Sequence, residues 1–336
     1  MEGIITLAHG AGGTQTNQLI EKIFHQRFQN PYFTSDDAAV LESGGGRLAF
    51  TTDGFIVSPP FFPGGDIGKL SVCGTVNDLA CMGARPVYLS CSFIIEEGFL
   101  ISDLEKIADS MANTAREAGV SIVAGDTKVA GRGQAEGVFI TTSGIGFAGP
   151  YRLGGALAEE GDAVLVTGDI GRHGSAILCA RGDYGIQTDI RSDCAPLSGL
   201  AARMLGACGG IHVIRDATRG GVGTVLYEIA AQSGVCIWVD EETIPVAPEV
   251  SGLCGMLGLE PLYMACEGRM VVVVPERDAG RVLNAIKDGD YGENAAVIGR
   301  VTRNSADQPG TVVIETPIGG QRLLARPGGE LLPRIC

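Results

Sequence analysis

Aspartates recur in this chain where apolar runs give way to polar residues and glycine: Asp53 after Arg47 to Thr52, Asp126 after Ser121 to Ala124, and Asp216 after Ile211 to Ile214. Carboxylates at strand ends gather along the sheet edge where α/β proteins bind ligands. Asp37, in the turn Ser35-Asp36-Asp37, and Asp78 enlarge the candidate cluster. Oxygen donors of this kind suit Mg²⁺, which keeps several waters and bridges one or two carboxylates to substrate phosphates. Any one of these aspartates alone is more often a turn former or helix cap, so it is their recurrence that points to a site.

Lys128, two residues beyond Asp126, is either a phosphate partner or, if desolvated, a proton acceptor; solvated surface lysine is the commoner fate. Glu267, in Ala265-Cys266-Glu267-Gly268, is a candidate general base, set against a loop-exposed glutamate. His9 and His173 lie in glycine loops, where they either touch phosphate or nucleobase or serve the structure alone. Cys336 is the last residue. An unperturbed thiol has a pKa of about 8.5, and an adjacent α-carboxylate does not favour its ionisation. Position sets it apart, because a cysteine with nothing after it enters a narrow pocket end-on.

Loops that approach ligands closely need glycine, and the 51 glycines cluster beside apolar segments. None of the clusters is a Walker A loop or a dinucleotide fingerprint. His9 to Gly13 feeds an expected helix, Thr14 to Phe28, with Leu19, Ile20, Ile23 and Phe24 on one face. Short strands follow at Ala38 to Leu41 and Arg47 to Thr52. Leu70, Cys73, Val76 and Ala80 repeat at helical spacing over Gly68 to Gly83, placing Asn77 and Asp78 inside a helix. A helix over Asp103 to Ala118 precedes a strand, Ser121 to Ala124, and the segment Gly125-Asp126-Thr127-Lys128. The strand Val138 to Gly146 closes the first domain.

The chain is loop-like over Gly149 to Gly161, where the domain boundary is placed. Ala163 to Thr167 then forms a strand leading to Gly168-Asp169-Ile170-Gly171-Arg172-His173-Gly174. Ile211 to Ile214 precedes Arg215-Asp216-Ala217-Thr218-Arg219-Gly220-Gly221, and Met270 to Val274 is another strand. The reading is α/β, with two domains. Eleven residues, Arg326 to Cys336, form a tail that reaches about 36 Å at roughly 3.3 Å per residue, far enough to cross to a distant pocket.

Composition bounds the rest. A chain of 336 residues suits two cores. The net charge of −14 argues against a nucleic-acid partner, and a polyanion such as ATP would have to bring its own cation. No apolar run approaches the roughly 18 residues of a membrane span, and Met1 to Gly13 lacks a basic start, so a cytoplasmic protein away from membranes is expected. Ten scattered cysteines without a C-x-x-C pair read as reduced thiols.

LAHGAGG, FFPGGDIGKLSVCGTVNDLA, GDTKV, RDATRGGV and the terminal PRIC resemble the HypE family of [NiFe]-hydrogenase maturation along nearly the whole chain. The wider PurM-like superfamily, similar to aminoimidazole ribonucleotide synthetase, selenophosphate synthetase and thiamine monophosphate kinase, shares the aspartates but lacks the cysteine tail. The resemblance implies an α/β fold with α+β mixed sheets: residues 1–150 as an ATP-binding and dimerisation domain, 151–325 as a second α/β domain, and 326–336 as a flexible tail ending in the acceptor cysteine. It implies that a HypF carbamoyltransferase loads Cys336, that ATP and Mg²⁺ drive dehydration of the S-carboxamide to an S-cyanide, and that cyanide passes to a HypC–HypD complex. Mg²⁺ falls to Asp53, Asp78, Asp126 and Asp216, and ATP to His9, Gly10, Gly12, Gly13, Asp37, Asn77, Thr127, Gly220 and Gly221. Lys128 and Glu267 match the family's proton acceptors, and a homodimer is expected. The alternatives are a small-molecule kinase or synthetase of the superfamily, and a dimeric scaffold with the tail as a docking peptide.

Overall fold

A computed structural model describes residues 14, 18, 36, 38–43, 45–303, 310–325 and 335–336. His9, Gly10, Gly12, Gly13, Asp37, nearly all of the expected helix Thr14 to Phe28, and residues 326–334 of the tail lie outside the described residues.

Strands β1 (Ala39–Ser43) and β2 (Gly46–Phe55) open the first domain, followed by a short hairpin, β3 (Phe61–Phe62) and β4 (Gly65–Asp66). Helix α1 (Ile67–Cys81), β5 (Ala84–Glu96), α2 (Ile101–Ala118), β6 (Ser121–Ala130) and β7 (Val138–Ala148) complete it. The sheet runs β1-β2-β7-β5-β6, antiparallel except where β6 lies parallel to β5. In β2 the odd-numbered residues 49 to 55 face the helices while Phe50 and Thr52 face outward, the alternation of a sheet covered on one side.

Two strands outrun their sequence signals. β2 continues past Asp53 to Phe55, and β6 continues through Asp126 and Lys128 to Ala130. Pairing with β5 from Tyr88 to Glu96 occupies the β6 backbone along this length. At a sheet edge, glycine and charged side chains meet solvent on both faces and do not stop the strand.

The second domain comprises β8 (Asp162–Val166), α3 (Arg172–Arg181), α4 (Ser198–Ala207), β9 (Val213–Asp216), α5 (Gly221–Ser233), β10 (Cys236–Asp240), α6 (Pro248–Leu257), β11 (Met270–Pro275), α7 (Glu276–Lys287), β12 (Ala296–Thr302), β13 (Thr311–Glu315) and β14 (Gln321–Leu323). Its sheet runs β14-β13-β10-β12-β8-β11-β9. Both faces are covered, which is why β11 reads as an unbroken apolar run. Val271 and Val273 pack toward Val222 and Leu226 of α5, whereas Met270, Val272 and Val274 pack toward Met204 of α4 and Val282 of α7.

α1 joins the two domains. Asp66 caps it by accepting from the Gly68 and Lys69 N–H groups at 2.7 and 3.1 Å. Every residue of α1 except Lys69 and Asp78 is buried, because the first sheet covers one side and α4 and β9 cover the other. Such a helix is apolar nearly all round rather than amphipathic.

Asn77 sits on the side of α1 that meets the second domain. Its Nδ2 donates to the Ala195 carbonyl at 3.0 Å and the Glu267 carbonyl at 3.5 Å, and its Oδ1 accepts from Leu197 N–H at 2.7 Å. The amide is thereby committed to the domain junction rather than to a nucleotide. Asn77→Ala leaves these main-chain groups buried without their partner and is expected to cost about 1–3 kcal/mol. Urea unfolding followed by the fluorescence of Trp238, the single tryptophan, measures the loss.

Candidate active site

The last two residues lie in the cleft between the domains. Ile56 N–H, just beyond β2, donates to the main-chain oxygen of Cys336 at 3.0 Å. His173, at the start of α3, holds the Ile335 carbonyl through Nε2 at 2.6 Å. The Ile335 side chain is buried, and a Cβ on Gly174 would stand 3.5 Å from its Cδ1. Cys336 packs against the cluster containing Phe55, Val57, Cys73, Ile177 and Cys194.

Four ionisable groups surround the thiol. Asp53 projects from the helix-facing side of β2, Asp216 ends β9, Arg219 lies in the loop from β9 to α5, and Glu267 precedes β11. Burial pushes the Cys336 thiol up; Glu267 raises it further, Arg219 opposes, and Asp53 and Asp216 add to the rise. Burial likewise pushes Glu267 well above the usual carboxylate range, reinforced by Cys194, Asp216, Asp193 and Asp53. Its Oε1 has no hydrogen-bond partner among the described residues. Asp53 is raised by burial against the opposing pull of Arg219 and the Gly54 N–H. Arg219 is held in its charged form chiefly by Cys336, and also by Asp53, Glu267 and Asp216, against burial.

The turn before α5 brings a helix N-terminus beside these groups. Gly220 and Gly221 have φ of +76° and +61°, and a Cβ on Gly221 would fall 2.6 Å from the Leu262 and Met264 carbonyl oxygens. Only glycine fits there. Gly221 N–H donates to the Thr218 carbonyl at 3.0 Å and Thr224 N–H to the Gly220 carbonyl at 3.2 Å, so it is the N–H groups between them, of Val222 and Gly223, that suit an anion such as phosphate at this helix N-terminus.

The expected aspartate cluster is divided. Asp53 and Asp216 come together with Glu267, and Asp78, accepting from Thr51 Oγ1 at 2.8 Å, lies on the same helix-facing side of β2 as Asp53; the separation is at Asp126. Across the sheet, Asp53 pairs with Thr142, Thr142 with Cys91, and Cys91 with Gly125. Three strand spacings put Gly125 about 14 Å from Asp53. Asp126, the next residue, points to the opposite, open face. There it pairs with Lys128 at 2.8 Å, both side chains mostly exposed. Thr127 faces the helix side but is also exposed. Among the described residues no group of three or more His, Cys, Asp or Glu is arranged to hold a metal ion.

Sequence reasoning passed over Arg219, although RDATRGG sets it between Asp216 and the glycine turn. His173, left between contact with phosphate or nucleobase and a purely structural role, has a buried imidazole that binds the chain's own Ile335. Glu267, a candidate general base set against an exposed loop glutamate, is buried because Gly268 and Arg269 tuck its segment beneath Asp193 and Asp169.

Two family descriptions match this architecture: AIR synthase related protein, N-terminal domain, over residues 35–148, and AIR synthase related protein, C-terminal domain, over residues 159–309. Carbamoyl dehydratase HypE of Rhizobium leguminosarum bv. viciae is 51% identical, covering 99% of this chain and 95% of the relative. The crystal structure of hydrogenase maturation protein HypE in complex with ATP superposes with a TM-score of 0.83 at 46% identity, covering 99% of this chain and 100% of that one. The crystal structure of a HypE–HypF complex gives 0.87 at 47% identity, with 92% and 99% covered.

Glu267 also makes a pH-dependent prediction. A carboxyl whose pKa is higher in the folded than in the unfolded chain stabilises the fold below its unfolded value of 4.5, and that contribution is lost as the pH rises through the folded value. Glu267→Gln is therefore expected to be more stable than wild type at neutral pH, with the difference widening from pH 5 upward. Thermal unfolding in EDTA between pH 5 and 9 tests this; parallel curves would contradict a buried, raised Glu267.

Proposed function

The chain belongs to the carbamoyl dehydratase HypE family, and from that membership we propose that its carbamoyl group rides on Cys336 and is dehydrated by Glu267, Asp53, Asp216 and Arg219. The protein is an ATP-dependent carbamoyl dehydratase of hydrogenase maturation. The observation that carries the residue assignment is the docking of Cys336 among one buried arginine and three acidic groups.

Dehydration of S–C(=O)–NH₂ to S–C≡N removes one oxygen and two protons. ATP, when bound, supplies the phosphoryl group that turns the carboxamide oxygen into a leaving group. Arg219 stabilises negative charge on that oxygen, and the N-terminus of α5 receives phosphate oxygens. Glu267, once ionised, is a stronger proton acceptor than a solvated carboxylate and is assigned the protons on nitrogen. Phe55, Val57 and Ile177 line the thiol side and exclude water that would hydrolyse the thiocarbamate.

Asp53 and Asp216 suit a Mg²⁺ shared with phosphate. They are hard oxygen donors, their repulsion with Glu267 is relieved by a cation, and Mg²⁺ uses only one or two carboxylates in such sites. There it would neutralise phosphate charge.

The partners follow from the same reading. A HypF-type carbamoyltransferase loads Cys336, as the crystallised HypE–HypF complex of a relative supports, and a HypC–HypD complex receives the cyanide. Among the described residues no helix is long and apolar enough to cross a membrane, and all ten cysteines are free, which suits a reducing cytoplasm. The open face of the first sheet is assigned to a homodimer: Phe50, Tyr88, Ile145 and Phe147 are 39–51% exposed on it. Covering that face would also desolvate Lys128, the condition under which it becomes a proton acceptor.

Incubation with carbamoyl phosphate, the carbamoyltransferase and Mg-ATP is expected to give a carbamoyl adduct on Cys336 that loses the mass of one water only when ATP is present. Glu267→Gln should keep the adduct but slow water loss by about 10²–10⁴-fold. An unmodified Cys336 alongside an active transferase would overturn the assignment. Separately, Phe147→Glu is expected to halve the mass seen by light scattering; an unchanged mass would remove this face from the dimer.

A further inference from the structure

We infer that His173, with Ser192 behind it, is a positioning residue that latches Ile335 and so aims the Cys336 side chain at the reacting groups. This rests on the reading of Cys336 as the carbamoyl carrier.

The hydrogen bonds fix the imidazole's state. The Ile335 carbonyl can only accept, so Nε2, 2.6 Å away, carries the proton. In a neutral ring Nδ1 is then an acceptor, and it lies 2.8 Å from Ser192 Oγ, which must donate. Ser192 Oγ in turn accepts from Cys194 N–H at 3.0 Å. The chain Cys194 N–H to Ser192 to His173 to Ile335 therefore has one consistent direction. Burial lowers the His173 pKa and favours the neutral ring, with the Ile335 carbonyl and Asp193 opposing.

The ring itself cannot drift. His173 is fully buried, and the edge of Phe62 meets it at 86° with ring centres 5.3 Å apart. Phe62 belongs to the first domain and His173 to the second, so the ring that makes the latch is packed by both sides of the cleft. Together with the Ile56 N–H on Cys336, the latch pins two consecutive main-chain oxygens. The remaining freedom of Cys336 is its χ1 rotation among three staggered rotamers. A loaded carboxamide is then restricted to a few orientations, which is the positioning a unimolecular step needs.

Iodoacetamide labelling of Cys336 in the nucleotide-free protein tests the latch directly, with cleavage after Glu330 to isolate the labelled peptide. His173→Phe keeps the ring packing but cannot donate. It should raise the labelling rate about three- to tenfold, the worth of one hydrogen bond. In single turnovers from carbamoylated protein, it should lower the rate of nitrile formation by a similar factor, with the concentration of ATP for half-maximal rate unchanged. His173→Gln, whose amide can donate to Ile335, should recover most of both losses. If His173→Phe does not fold, Ser192→Ala removes the group that orients the ring and should raise labelling about two- to threefold.

Equal labelling in wild type and the folded variants, or a His173→Gln no better than His173→Phe, would overturn the latch. Labelling requires neither ATP nor a transferase. Altered labelling with no nitrile from any protein would support the latch while removing the dehydratase assignment of Cys336.

Discussion

Burial of α1 between the first sheet and the second domain is the constraint from which the cleft takes its shape. A helix packed on one side only could tilt, and the two domains could then move relative to each other. Here the sheet holds one side of α1, α4 and β9 hold the other, and Asn77 links the helix to the Ala195–Leu197 segment by hydrogen bonds. The Glu267 carbonyl belongs to the same junction. Thus the residue assigned as proton acceptor has its main chain anchored to the helix that carries the first domain. Asp53 lies above the same helix, where a Cβ added at Gly74 would come 3.5 Å from its Oδ2. The groups assigned to the reaction, from both domains, are fixed against a shared wall, as preorganised electrostatic stabilisation requires.

That wall holds an unfavourable arrangement of charge. Glu267, Asp216 and Asp53 repel one another in a place where water is largely excluded, and Arg219 is the counter-charge. An isolated buried carboxylate is normally expelled, protonated or paired. Retaining several together lowers stability, and functional sites are where such costs are kept. On the proposed reading, the same repulsion makes the pocket receptive to a cation and makes Glu267 a better base. Arg219 couples these roles, since its charge faces all three acids and lies beside the thiol.

Much of this was legible in the sequence because local patterns coincide with tertiary demands. Apolar runs marked β8, β9 and β11, and the Gly220-Gly221 turn is one that no other residue could make. Asp53 and Asp216 met as expected because strand ends from both domains converge on one cleft. Asp126 was harder to place: its side depends on strand register, and a shift of one residue turns a side chain to the other face. α1 was readable as a helix but not as a buried one, since spacing cannot reveal a second domain pressing on its far side. His173 and Asn77 share that difficulty. Both have polar side chains that hold main-chain carbonyls more than 100 residues away, and no local signal distinguishes a main-chain carbonyl from a ligand as the partner.

The docked thiol also constrains how the enzyme can work. With Ile335 buried and Cys336 only partly exposed in the cleft, loading of the sulfur by a second protein on the proposed reading is favoured by a position of the last residues other than this one. The docking energy must therefore be modest. Two hydrogen bonds contribute about 1–3 kcal/mol and burial of one isoleucine about 1.5–3 kcal/mol. Ordering the backbone of two residues costs about 2–4 kcal/mol. The balance lies within a few kcal/mol of zero, so both positions can be populated. A longer apolar anchor would hold the thiol in place more firmly and slow its loading. Nucleotide binding can shift such an equilibrium only by as much as it favours one position over the other, and the charged pocket beside the thiol supplies a basis for that difference.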